Sequence, residues 1–254
     1  MSNILDFHQR ILARGRHMLD LGRPQDARSV LEHLVSMPDI DVGMRIETLK
    51  TLNQIEFQAG RYRRARAYLR QAIELSPTDP DLYEQFALNI EADGSTPLKI
   101  AVKAIRLAVK FDSLEPRFWA LQGRLALAVG KRKLARKSFR KVARLLPTSI
   151  AVLEMAVTGL TQLRMPEEAA RLLMLARAEH EQPAVLRNLW ERLRFEVVRM
   201  NQDESTDEPV VLKFPELASA SQVSKRSSGD GIVRVDRGSM LGSPHILKRI
   251  NLNR

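Results

Sequence analysis

The side chains best suited to chemistry are few and badly placed for it. Five histidines, His8, His17, His33, His180 and His245, are scattered without the paired spacing that sets two metal ligands on one helix face. Cysteine is absent, which removes disulfides, thiol nucleophiles and thiolate metal sites. Asp39, Asp41 and Gly43 open like a calcium loop, but Lys50 stands where a bidentate glutamate should close it. Gly123 and Gly130-Lys131 resemble a phosphate loop only superficially, because the spacing is wrong and Arg132 replaces the required Ser or Thr. Asp230-Gly231 is a turn signal without the further glycine of a dinucleotide site. Glu167 and Glu168 stand where a helix start favours acids, so the helix dipole accounts for them. No nucleophile, base and orienting group can be combined, and the reading is of a chain that is not an enzyme, with no metal site and no cofactor.

Charge is the stronger chemical signal. Between Arg61 and Arg144 there are 19 Lys and Arg against 8 Asp and Glu, an excess equal to the net charge of +11 of the whole chain. Within this stretch basic residues recur seven apart, as Arg63 and Arg70, Lys99 and Arg106, and Lys133 and Arg140. Seven residues is about two helical turns, so each pair shares a face. Such pairs could hold a nucleic acid or another polyanion through phosphates or carboxylates.

These side chains need elements to carry them, and the sequence supplies a repeating one. The clearest unit begins at Pro116 and runs through Trp119, Gly123, Gly130, Ala135, Phe139 and Val142 to Pro147. Each residue type has a mechanical reason. Gly123 lets two helices approach, Gly130 ends the first, Ala135 packs at the crossing, and Pro147 stops the second. Trp119 and Phe139 are expected to fill the space between helices. The skeleton recurs as Leu49, Leu52, Gly60, Tyr62, Ala65, Leu69, Ala72 and Pro77, and as Tyr83, Phe86, Ala87, Gly94, Ala101, Ile105 and Ala108 with a lengthened turn at Ser95 to Pro97. It also appears as Ile11, Gly15, Met18, Gly22, Ala27, Leu31, Leu34 and Pro38, and as Leu153, Ala156, Leu160, Ala169, Leu173 and Ala176. In that last unit Arg164 replaces the turn glycine, and Pro166 is expected to restrain the turn instead.

The unit from Pro116 to Pro147 resembles the tetratricopeptide repeat, departing from it at Gln122 and Ala126. The resemblance implies an all-α, right-handed α-solenoid of about five helix hairpins, at residues 5–39, 46–79, 80–115, 116–149 and 150–182. A capping helix follows at 184–200, apolar at Val185, Leu186, Trp190, Leu193 and Val197, because a terminal repeat must cover its neighbour. Residues 1–200 form the solenoid. Residues 201–254, rich in Ser, Asp and Glu, form a flexible tail with apolar islands at 210–217, 232–235 and 246–252.

In such a solenoid the first helices line a concave groove and the second helices face outward. The expected peptide groove is Arg16, Lys50, Gln54, Glu84, Gln85, Leu88, Arg117, Arg124, Glu154 and Thr158. Relatives that grip a terminal carboxylate use two Lys, two Asn and an Arg there. Here Lys50 fits, but Gln54, Gln85 and Arg117 are replacements, and Leu121 stands where the Arg should be, which removes the bidentate grip. Arg63, Arg70, Lys99, Arg106, Lys133 and Arg140 would form two basic rows on the outer face. The N-terminus lacks a signal-peptide core, and no apolar run approaches the ~18 to 20 residues of a membrane span, so the expectation is a cytoplasmic chain. Its expected role is that of an adaptor or scaffold for a protein or peptide ligand, with a nucleic-acid or ribonucleoprotein-associated factor binding anionic partners through the basic convex face as the alternative; oligomeric state is left open.

Overall fold

The computed structural model describes residues 2–179, 183–203, 213–215 and 230–232. Its helices are α1 (Ser2–Asp20), α2 (Pro24–Ser36), α3 (Val42–Gln58), α4 (Tyr62–Leu75), α5 (Pro80–Asp93), α6 (Leu98–Phe111), α7 (Pro116–Ala128), α8 (Arg132–Leu145), α9 (Ile150–Gln162), α10 (Pro166–Glu179) and α11 (Pro183–Asp203). Each odd-numbered helix up to α9 packs along the helix that follows, and each even-numbered helix leans on the next hairpin, giving a helical solenoid. Beyond α11, β1 (Lys213–Pro215), inside the island at 210–217, pairs antiparallel with β2 (Asp230–Ile232), which takes in the Asp230-Gly231 expected as a turn and only the first residue of the island at 232–235. The island at 246–252 lies outside the described residues, and α11 continues three residues past the boundary expected at 200.

The start and stop chemistry of the hairpins is local. Pro24, Pro80 and Pro116 occupy first-turn positions, where a missing N–H costs nothing. Asp41, Asp79 and Glu115 cap α3, α5 and α7 by accepting a backbone N–H, from Met44 at 3.1 Å in the first case. Asp41 is therefore a helix cap. Four of the five hairpins turn through the same motif, in which a left-handed residue is followed by an N–H bonded five residues back: Arg23 to Met18, Arg61 to Glu56, Lys131 to Ala126 and Met165 to Leu160. Gly22, Gly60 and Gly130 supply the left-handed residue in three of them. In the fourth it is Arg164, at φ 59°, so the turn is made by a strained arginine, and Pro166 is simply the first residue of α10.

The lengthened third turn is held differently. Gly94 takes φ 64°, and the Asp93 carboxylate accepts hydrogen bonds from Ser95 and Thr96, both at 2.8 Å, while pairing with Arg66 of α4 at 2.8 Å. Those hydroxyls, with the arginine, hold the Asp93 carboxyl below its usual range.

Phe139 is the fully buried keystone of the C-terminal half. A Cβ at Gly123 of α7 would lie 2.6 Å from its ring, and one at Gly159 of α9 would lie 2.2 Å away, so the ring is clasped between two bare backbones. Trp119 departs from expectation. It is only half-buried, packs at the junction of two core clusters, and donates its indole N–H to the Ser113 carbonyl at 2.9 Å. The aromatic fully enclosed beside it is Phe118. Indole has a polar edge that needs a partner, so the phenyl ring takes the dry site.

Candidate interaction surfaces

The residues expected to line the groove stand on the first helices of the hairpins, and the structure has already paired most of their charges. Arg16 meets Glu47 at 3.2 Å across α1 and α3, and Lys50 reaches Asp79 at 3.2 Å and Glu47 at 3.5 Å. Arg117 of α7 binds both Asp81 and Glu84 of α5, the latter at 2.7 Å, and Arg124 binds Glu91 at 2.6 Å. Glu154 of α9 pairs with Arg192 of α11. Gln85 accepts a hydrogen bond from Asn53 at 3.1 Å, and Asn89 donates to Asn53 at 3.0 Å. Seven of the ten expected groove residues thus act as cross-links between successive first helices. Of the remaining three, Gln54 and Thr158 are exposed and Leu88 is half-buried. Leu121 is buried, so the position where carboxylate-gripping relatives carry an arginine belongs to the core here.

Electrostatics follow this pairing. Burial works against the Lys50 ammonium, but Asp79 and Glu47 outweigh it and raise its pKa. Glu84 goes the other way for a carboxylate: burial pushes it up, against the pull of Arg117. The partners missed at the sequence level are Glu47, Asp79, Asp81, Glu91 and Arg192. A signal existed, because the charges in Arg16–Glu47, Arg117–Glu84, Arg124–Glu91 and Arg192–Glu154 stand 31 to 38 residues apart, about one repeat.

The second helices carry the basic residues outward. Arg63, Arg70, Lys99, Arg106, Lys133 and Arg140 are all exposed. Among the described residues, Arg63, Lys99, Arg106 and Lys133 meet no carboxylate, and Arg70 lies 5.8 Å from the centre of the Phe86 ring. Arg140 does not belong with them. It makes a bidentate pair with Glu168 of α10, at 2.6 and 3.0 Å, which raises its pKa and fastens one hairpin to the next. Glu168 thus does more than favour a helix start. Among the described residues, no three His, Asp or Glu side chains are placed to share a metal ion, and no helix is long and apolar enough to cross a membrane.

Stacked hairpins, left-handed stops and small residues at the crossings define a helical-repeat protein. The tetratricopeptide-repeat family profile matches residues 54–79, and two of the similar solved structures are tetratricopeptide-repeat proteins. The chain thus carries a match to the tetratricopeptide repeat at 54–79 and shares the fold of tetratricopeptide-repeat proteins. A thermophilic tetratricopeptide-repeat protein of Thermus thermophilus, TTC0263, superposes with a TM-score of 0.54 at 16% identity, over 75% of this chain and 99% of that one. One from Parabacteroides merdae gives 0.57 at 12%, over 78% and 80%. MamA of Desulfovibrio magneticus RS-1, from residue 41 to its end, gives 0.55 at 15%, over 68% and 97%. At these identities the likeness is one of fold. No curated protein sequence matches the chain. Proteins of this fold are in general non-catalytic modules for binding other proteins.

Proposed function

We propose that the chain is a non-enzymatic adaptor that holds a peptide or protein segment along the concave face of α3, α5 and α7. The observation that carries this reading is the pairing of the inner charges. Because Arg16, Lys50, Arg117 and Arg124 already have carboxylate partners, the face is close to electrically matched and is held in place by cross-links between hairpins. A ligand there is recognised through its backbone and apolar side chains, by Gln54 and Leu88, and a free terminal carboxylate adds little. Such binding responds weakly to salt. The test is affinity capture with the full chain and with Leu88→Arg, each with and without nuclease. The adaptor reading requires a discrete protein that survives nuclease and is lost on Leu88→Arg. A partner held equally by both proteins would place the site elsewhere.

The unpaired cations on the second helices favour a second reading, a nucleic acid or other polyanion held on the outer face. Its signature is a steep, log-linear fall of affinity with salt concentration, together with loss on nuclease treatment.

A further inference from the structure

We propose that the cleft between α4 and α6 is a docking groove for an acidic amphipathic helix of a partner protein, separate from the groove proposed above on the first helices. The cleft encloses about 390 Å³. Arg63, Arg66 and Arg70 form its α4 wall, Phe86 and Ile90 of α5 its floor, and Ile100 of α6 the far wall.

Charge sets the sign of the occupant. Arg66 is buried and matched by Asp93 at 2.8 Å, with Thr96 beside it at 3.3 Å, so it fixes the wall without adding net charge. Arg63 and Arg70 are exposed and face no carboxylate among the described residues. They stand two turns apart, about 10 Å along the helix. Lys99, Lys103 and Arg106 on α6 are likewise exposed and unpaired among the described residues.

Apolar surface sets the shape. Ile100 is 43% exposed, and the same face of α6 continues through Leu107 at 39% and Phe111 at 37%, a stripe about 16 Å long. Tyr83 of α5 lies against Phe111, with ring centres 5.6 Å apart. One exposed apolar residue signifies little, but a continuous stripe beside two sets of unmatched cations is a binding surface. About three turns of a helix fit along it. Apolar side chains at i+3 and i+4 would meet Phe86 and Ile100, and carboxylates at i and i+7 would meet Arg63 and Arg70. A nucleic acid fits less well, since an apolar floor offers phosphates nothing.

The probe is a fluorescein-labelled synthetic helix with Glu at i and i+7 and Leu at i+3 and i+4, titrated against the full chain by anisotropy. Saturable binding is expected, weakened about tenfold or more by Arg63→Glu with Arg70→Glu, and about threefold or more by Ile100→Ser. Lys133→Glu should leave it unchanged, and the Gln version of the peptide should not bind. These positions are exposed, and circular dichroism checks that each variant keeps its helices. The proposal is overturned by absence of saturable binding, or by an equal loss with Lys133→Glu. Displacement by single-stranded RNA combined with indifference to Ile100→Ser would also overturn it, and would mark the surface as a plain polyanion site.

Discussion

At the scale of the residue, two arrangements are sharp enough to test. Phe139 is held between Gly123 and Gly159 so closely that a methyl group at either position must displace the ring. Gly159→Ala should therefore cost roughly 1 to 3 kcal/mol in urea unfolding. Adding Phe139→Leu should recover part of that loss, since the smaller side chain leaves room for the methyl. Glu56 is the second case. Its carboxylate is fully enclosed, accepts from Arg61 Nη2 at 3.0 Å and pairs with Arg28 at 3.5 Å, and the Arg61 hydrogen bond outweighs burial to hold its pKa below the ordinary 4.5. A depressed carboxylate stabilises the fold fully above its ordinary value, and the contribution disappears as pH falls through the depressed one. Glu56→Gln should cost about 2 kcal/mol near neutrality, and the gap in melting temperature from the parent should close on acidification below about pH 4. A gap that stayed constant with pH would show that the charge is not what matters.

At the scale of the element, the hairpin turn decides more than the helices do. The left-handed stop is occupied by glycine in three of the repeating turns and by Arg164 in the fourth, yet the backbone bond from Met165 to Leu160 at 2.9 Å forms as in the others. The register of the fifth hairpin is thus imposed by packing of α9 against α10 over local preference. Arg164→Gly should raise stability by roughly 0.5 to 1 kcal/mol, because relief of the left-handed strain exceeds the extra freedom of glycine in the unfolded chain. Thermal unfolding of the two proteins checks it, and a lower melting temperature for the glycine variant would mean that the arginine side chain matters more than its backbone.

At the scale of the whole molecule, a stack of hairpins has no single core but a succession of them. Phe118 and Leu125 belong to one cluster, and Phe139, Leu160 and Trp190 to the next, with Trp119 touching both. Stability in such a chain is a sum over neighbours, and among the described residues α11 packs on α9 and α10 alone. Single-tryptophan proteins made by Trp119→Phe or Trp190→Phe should therefore report different urea midpoints, the one retaining Trp190 unfolding first. Coincident midpoints would mean that the solenoid unfolds as one cooperative unit. The inter-hairpin ion pairs contribute little to that order, since exposed pairs are worth about 0 to 1 kcal/mol each. Their effect is on what the surface can bind.

The sequence by itself determined the helices, their stops and the repeat, because glycine, proline and small-residue positions act locally or on the next helix along the chain. It also determined which residues share a face on the second helices, since a seven-residue spacing is about two turns. It did not determine the state of the charges. Lys50, Arg117 and Arg124 read as groove residues awaiting a ligand, and Arg140 as one of a basic row, until the stacking of hairpins brought Asp79, Glu84, Glu91 and Glu168 against them. A charge is free or matched according to what lies within a few ångströms of it. For residues about a repeat apart in sequence, only the pitch of the solenoid sets that distance.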